Sequence, residues 1–75
     1  MATINTATEL GKAIRDRRRE LGYTQAFLAS YAGISASFLS ELENGKATVQ
    51  LDKVMEVLSL LGMDLSVSRR GDWND

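Results

Sequence analysis

Residues 24–45 read Thr-Gln-Ala-Phe-Leu-Ala-Ser-Tyr-Ala-Gly-Ile-Ser-Ala-Ser-Phe-Leu-Ser-Glu-Leu-Glu-Asn-Gly, and their punctuation divides them into two short helices. Thr24 stands as an N-cap before a helix over about Gln25 to Tyr31. Ser35 caps a second helix over about Ala36 to Glu43, which Asn44-Gly45 closes. Gly33 tolerates the positive φ that a sharp turn between helices demands, and Ala29 is small where two crossing helices come closest. Leu28, Ile34, Leu39 and Leu42 are spaced to meet in one core. Two helices held at such a turn are the layout by which a small domain lays the second of them in the major groove of a duplex.

Upstream, Thr6-Ala7-Thr8-Glu9 fits a capping box, so another helix begins near Ala7. Leu10, Ala13, Ile14 and Leu21 recur along it at helical spacing, and Gly22 ends it. Arg17 and Arg18 fall on or beside this apolar stripe, so at least one lays its stem against the core. A partly buried guanidinium needs a carboxylate, and Glu43, at the end of the third helix, is the partner assigned to Arg18. An arginine has donors enough to reach a phosphate as well.

Downstream, Gly45-Lys46-Ala47 is a short loop, and Thr48 is expected to cap a fourth helix running from Val49 or Leu51 to Leu61. Leu51, Val54, Met55, Leu58 and Leu61 are expected on its core face, with Val57 and Leu60 as surplus apolar surface and Gly62 as the stop. Met63-Asp64-Leu65-Ser66-Val67-Ser68 then alternates apolar and polar, the period of a half-buried strand. A lone strand in a helical chain has no backbone partner of its own. Antiparallel pairing with the same strand of a second copy, through Leu65 and Val67, answers that need and also enlarges a small core; an extended, solvated tail is the alternative. The expected division is a flexible N-terminal tail (1–6), a helical DNA-binding domain (7–62), a dimerisation strand (63–69) and a polar C-terminal tail (70–75).

With 75 residues the chain is one domain near the lower limit for a self-sufficient core. It has neither cysteine nor histidine, which excludes disulfides, Cys/His zinc sites, thiol nucleophiles and the commonest general base. No nucleophile–base pair, metal cluster or Gly-rich phosphate loop is present in the sequence, so no cofactor, no metal and no enzymatic activity are expected. No apolar run approaches the ~20 residues of a membrane span. Met1–Asn5 lacks a signal-peptide pattern, so a cytoplasmic protein without a membrane partner is expected. The net charge of −1 is unlike that of most DNA binders, yet the charge is uneven. Lys12, Arg15, Arg17, Arg18 and Arg19 cluster around a single acid, Asp16, while Asp52, Glu56, Asp64, Asp72 and Asp75 gather elsewhere. The basic end suits phosphates; for Arg15 or Arg19 taken singly, a solvated helix face is the other reading.

With Thr24-Gln25, Ala29, Gly33, Ser37-Phe38-Leu39-Ser40 and Leu42-Glu43-Asn44-Gly45-Lys46 in place, the chain over about Leu10 to Leu61 resembles the phage-repressor-like (XRE) helix-turn-helix family. The resemblance implies an all-α, four-helix lambda-repressor-like DNA-binding domain, and it supports the Arg18–Glu43 pair. Arg17 departs from the family pattern, where an aliphatic residue is usual. The far end, Leu51-Asp52-Lys53-Val54-Met55-Glu56-Val57-Leu58 and then Leu61-Gly62-Met63-Asp64-Leu65, is similar to HipB-type antitoxins. That likeness implies a homodimer joined by a β-strand pair, autorepression of a two-gene operon on the bacterial nucleoid, and a complex with a HipA-like serine/threonine kinase toxin. The same body also serves stand-alone phage or host repressors with no toxin, and an adaptor that has lost DNA binding is a further alternative.

Carried over from the family, the residues facing the bases are Ser35, Ala36, Ser37, Ser40 and Glu41. Serine hydroxyls donate or accept, Ala36 suits a thymine methyl, and Glu41 suits cytosine N4. Ser35 is a cap whatever else it does, and a solvated face is the plain alternative for the serines. Glu41 equally well faces solvent or a neighbouring cation, because a carboxylate near phosphates is costly. No Gln, Asn or Arg stands on this helix, so part of the specificity is expected from DNA shape and half-site spacing. Gln25 at a helix N-terminus, Lys46 after the recognition helix, Asn44 (a helix stop first) and Arg18 are the phosphate candidates. Tyr23, Phe27 and Tyr31 are expected to pack, and Phe38 to fill the core. Trp73 is either disordered in the free chain or an anchor for a protein partner such as the toxin. A dimer holding two recognition helices one DNA turn apart (~34–36 Å) implies a palindromic operator in double-stranded DNA.

Overall fold

The computed structural model describes residues 3–70 and contains, within them, α1 (Ala7–Glu20), α2 (Gln25–Ala32), α3 (Ala36–Glu43) and α4 (Leu51–Leu60). Three of the four helix starts are set by side-chain caps. Thr6 Oγ1 accepts from the Glu9 N–H at 3.1 Å, and Glu9 Oε1 accepts in return from the Thr6 N–H at 3.1 Å, a complete capping box. Thr24 Oγ1 accepts from the Phe27 N–H, and Ser35 Oγ from the Phe38 N–H, each at 3.0 Å. Gly33, at φ 72°, turns the chain between α2 and α3 in the left-handed region that glycine enters without steric cost. Ser35→Ala is expected to destabilise the domain by about 1 kcal/mol. That corresponds to a fall in Tm of about 4–8 °C for a domain of this size; an unchanged thermal melt would show that α3 starts without its cap.

The core draws on every helix: Ile14 from α1, Leu28 and Ala29 from α2, Leu39 and Leu42 from α3, Val54, Val57 and Leu58 from α4, and Leu61 just beyond it. Helices α1 and α3 meet backbone to backbone at Gly11. A methyl group there would overlap the Leu42 carbonyl oxygen and stand 2.7 Å from that of Glu43.

Helix α4 corrects the sequence reading in two ways. Its N-cap is Gln50, with no side-chain cap bond, so Thr48 does not start it. Its buried face is Val54, Val57, Leu58 and Leu61, whereas Leu51 (63% exposed) and Met55 stay outside. Two apolar stripes overlap at Leu58, and only the packing against the other helices decides which faces inward. The aromatic residues of α2 also differ from expectation. Its inner face is taken by Leu28 and Ala29. Phe27 (53% exposed) and Tyr31 (70%) therefore lie outside, stacked on each other at a centroid distance of 6.1 Å, with Tyr23 5.1 Å from Phe27. Their i, i+4 spacing along the chain and helix makes the ladder. Phe38 is half-buried against the core, and the Lys53 ammonium lies 5.4 Å from its ring centroid.

Arg17 occupies a position that is usually aliphatic in the similar family, and its role here is polar. Its Nε donates to the Leu61 carbonyl at 3.0 Å, satisfying an acceptor at the end of α4, while Nη1 pairs with Glu20 at 2.8 Å. After Gly62 the chain leaves α4 without further helix; Leu65 and Val67 are exposed, and no β-ladder occurs among the described residues. Trp73 and the tail beyond Arg70 lie outside the described residues. No helix among those described is long and apolar enough to cross a membrane.

Candidate nucleic-acid interface

The buried side of α3 is Leu39, Leu42 and Glu43, so its other side is left to solvent. Ser35, Ala36, Ser37 and Glu41 are exposed there and Ser40 is half-buried, forming one surface from the N-cap to the last turn. Ala36 with Ser40, and Ser37 with Glu41, stand one above the other at i, i+4.

Behind this surface lies a buried polar knot that joins three helices. Glu43 accepts from Arg18 Nε at 2.7 Å, from Arg18 Nη2 at 3.0 Å and from Gln25 Nε2 at 2.9 Å, while Arg18 Nη1 donates to the Tyr23 carbonyl at 2.8 Å. The fork-on-carboxylate geometry is the strong, directional form of this interaction. Among the described residues no buried side-chain nitrogen or oxygen lacks a partner. Burial pushes the Glu43 carboxyl up, but hydrogen bonds from Arg18 and Gln25, with the charges of Arg18 and Arg15, outweigh it and hold the group below its ordinary value. The hydrogen bond to Glu43 raises Arg18 in turn, against the opposing effect of burial.

The phosphate candidates therefore divide. Arg18 is 7% exposed, with Nε and Nη2 bonded to Glu43 and Nη1 to the Tyr23 carbonyl. Gln25 stands at the start of α2 with one amide hydrogen held by Glu43, which leaves the second to donate outward. Asn44 is the exposed C-cap of α3, its N–H bonded to the Ser40 carbonyl at 3.0 Å. Lys46 lies beyond it with its Nζ 3.4 Å from Glu41 Oε2, both side chains about half exposed. Neither the Gln25–Glu43 bond nor the Arg17–Leu61 bond left a local signal in the sequence, because each joins residues far apart in the chain. Lys12 pairs with Asp16 at 2.7 Å on the outer side of α1.

Comparison with known proteins agrees with this geometry. The helix-turn-helix family HTH_3 matches residues 14–67. The chain is 36% identical over 69 residues to the uncharacterized HTH-type transcriptional regulator y4mF of Sinorhizobium fredii, covering 92% of this chain and 91% of that protein. It is 32% identical over 59 residues to the ImmF control region 10 kDa protein of Bacillus phage phi105, covering 79% of this chain and 66% of the other. Among solved structures, HipB in the HipB-O4 20mer complex superposes with a TM-score of 0.83 at 26% identity, covering 93% of this chain and 99% of that one. The HipA-HipB-O2-O3 complex gives 0.84 at 26% identity, with the same coverage of 93% and 99%.

Proposed function

This chain belongs to the helix-turn-helix family of DNA-binding regulators, and on that premise we propose that it is a homodimeric, sequence-specific repressor and the antitoxin of a HipB-like pair. In this reading it represses its own operon on the bacterial nucleoid and binds a HipA-like serine/threonine kinase toxin. The observation that carries the reading is the exposed face of α3, flanked by Gln25 and Lys46, on a chain that superposes along most of its length on HipB. The toxin is supported by the likeness to HipB solved together with HipA.

In the proposed complex Ser35, Ala36, Ser37, Ser40 and Glu41 face the bases. Gln25, Lys46 and Asn44 hold phosphates, and Arg18 acts through Glu43 to position Gln25 and α3. Residues 63–69 pair with their counterpart in a second copy through Leu65 and Val67. Support for that pairing comes from apolar side chains left exposed on and beyond α4, Leu51, Met55, Leu65 and Val67, around a groove of mixed lining that Ser59 and Asp64 share with Met55 and Met63. Trp73 is proposed as an anchor on the toxin, and truncation after Arg70 with unchanged toxin affinity would remove it from the scheme.

The phosphate and base roles separate experimentally. Gln25→Ala is expected to weaken binding to all duplexes alike with the salt slope nearly kept, because the amide carries no charge and releases no counterion, whereas Ser37→Ala changes sequence preference. Gel shifts giving the opposite pattern would reverse the assignment. The likeness to a phage control-region protein favours a second reading, a stand-alone repressor without toxin. Purification from the native operon decides between them: a kinase-like protein retained with the chain supports the antitoxin. Promoter DNA retained without a protein supports the lone repressor, and neither would leave an adaptor.

A further inference from the structure

We propose that Glu41 and Lys46 act as one recognition unit, Lys46 supplying the counter-charge that lets the Glu41 carboxylate enter the major groove and select cytosine. The inference rests on the DNA-binding reading above and deepens it by naming the base and the residue pair that reads it.

Ala36, Ser37 and Ser40 are weak discriminators, and Glu41 is the one ionised residue on the exposed side of α3. A bare carboxylate there would be repelled by the phosphates on either side. The fold answers this locally. The Lys46 N–H donates to the Glu41 carbonyl at 3.0 Å as the chain reverses after α3, which brings Lys46 back beside the last turn of that helix. Its Nζ then lies 3.4 Å from Glu41 Oε2. In the free protein this pair is half exposed and adds little to folding. When a duplex displaces water from it, the attraction strengthens as the local dielectric falls. The ammonium has three donors, so one can stay on Glu41 while the others reach a phosphate.

The neutralised carboxylate presents acceptors only. Guanine offers O6 and N7, and thymine O4, all acceptors that repel it. Adenine pairs its N6 donor with the N7 acceptor alongside, and cytosine alone offers the N4 donor without such a neighbour. Each half-site should therefore carry a cytosine at the step facing the last turn of α3.

The test is selection of duplexes from a randomised pool by the full-length protein. Titrations of symmetric duplexes follow, changed at the selected step, with wild type, E41Q, K46A and the double variant. Circular dichroism checks that each variant folds. Wild type is expected to prefer cytosine by about 10-fold or more at one symmetric step. E41Q is expected to lose that preference and gain adenine, which a glutamine amide can pair. K46A should weaken cytosine-site binding several-fold more in the presence of Glu41 than in the E41Q background. An unchanged base preference in E41Q, or equal losses from K46A in both backgrounds, overturns the recognition unit while leaving DNA binding intact. A wild-type protein that enriches no duplex overturns the DNA-binding reading itself.

Discussion

Arg18→Ala is expected to destabilise the domain by about 3–5 kcal/mol, because it strands a carboxylate in the interior rather than merely deleting a contact. Glu43 is 3% exposed and would keep only the Gln25 amide as a partner. A chain of 75 residues has a total stability of roughly 4–11 kcal/mol, so this single change removes a large part of it. The decisive comparison is the double variant Arg18→Met with Glu43→Met. Replacing both charges with apolar side chains of similar reach is expected to be neutral or to stabilise by about 1–4 kcal/mol. It would still remove the support under Gln25, so the double variant should fold well and bind duplexes poorly. Urea unfolding of the two variants measures this; a loss below about 1 kcal/mol for Arg18→Ala would mean the pair behaves as a surface salt bridge.

The same pair sets a direction for pH. Glu43 titrates below its ordinary value in the folded chain, so its contribution is fully present above the ordinary glutamate range. It is lost as pH falls through the lowered pKa. Wild type should therefore lose stability in acid more steeply than the double methionine variant, which has no carboxyl to protonate at that site.

What the sequence disclosed follows the range of the interactions involved. The starts of α1, α2 and α3 were legible because each depends on a hydroxyl within three residues of the amide it caps. The turn at Gly33 was legible for the same reason. The inward face of α4 was not, since Leu51 and Met55 compete with Val54 and Val57 on one short helix and only tertiary packing separates them. The outer placement of Phe27 and Tyr31 was hidden likewise: hydrophobicity suggests burial, while the narrow inner face of α2 admits only Leu28 and Ala29. At the candidate interface, the residues of α3 named as outward came from the family resemblance, and the burial of Leu39, Leu42 and Glu43 leaves that side of the helix exposed. The Gln25–Glu43 bond depends on how α2 and α3 close on each other, which no local pattern encodes. The return of Lys46 onto Glu41 is local: Gly45 at positive φ lets the Lys46 and Gly45 N–H groups bond back to the Glu41 and Leu42 carbonyls.

Gly11→Ala isolates one such non-local constraint, and here two opposing effects can be weighed. Alanine in place of glycine within a helix favours the helical state by about 1 kcal/mol. Against it, the added methyl overlaps the Leu42 carbonyl oxygen and crowds that of Glu43. Both obstacles are backbone, fixed by the hydrogen bonding of α3 and its C-cap, so neither can turn aside as a flexible side chain would. Helix α1 has to move as a body, and overpacking of this kind costs about 1–3 kcal/mol or more. The displacement also reaches the polar knot, because Arg18 lies two turns along α1 from Gly11 and pairs with the same Glu43 whose carbonyl is crowded. The net effect is therefore expected to be destabilising, by up to about 2 kcal/mol where the cost stays in that range, and coupled to substitutions at Arg18 or Glu43 rather than additive with them. Thermal melts of the single and combined variants test both statements. A Gly11→Ala protein as stable as wild type would show that α1 and α3 do not approach this closely, and that the placement of α3 rests on something other than that contact.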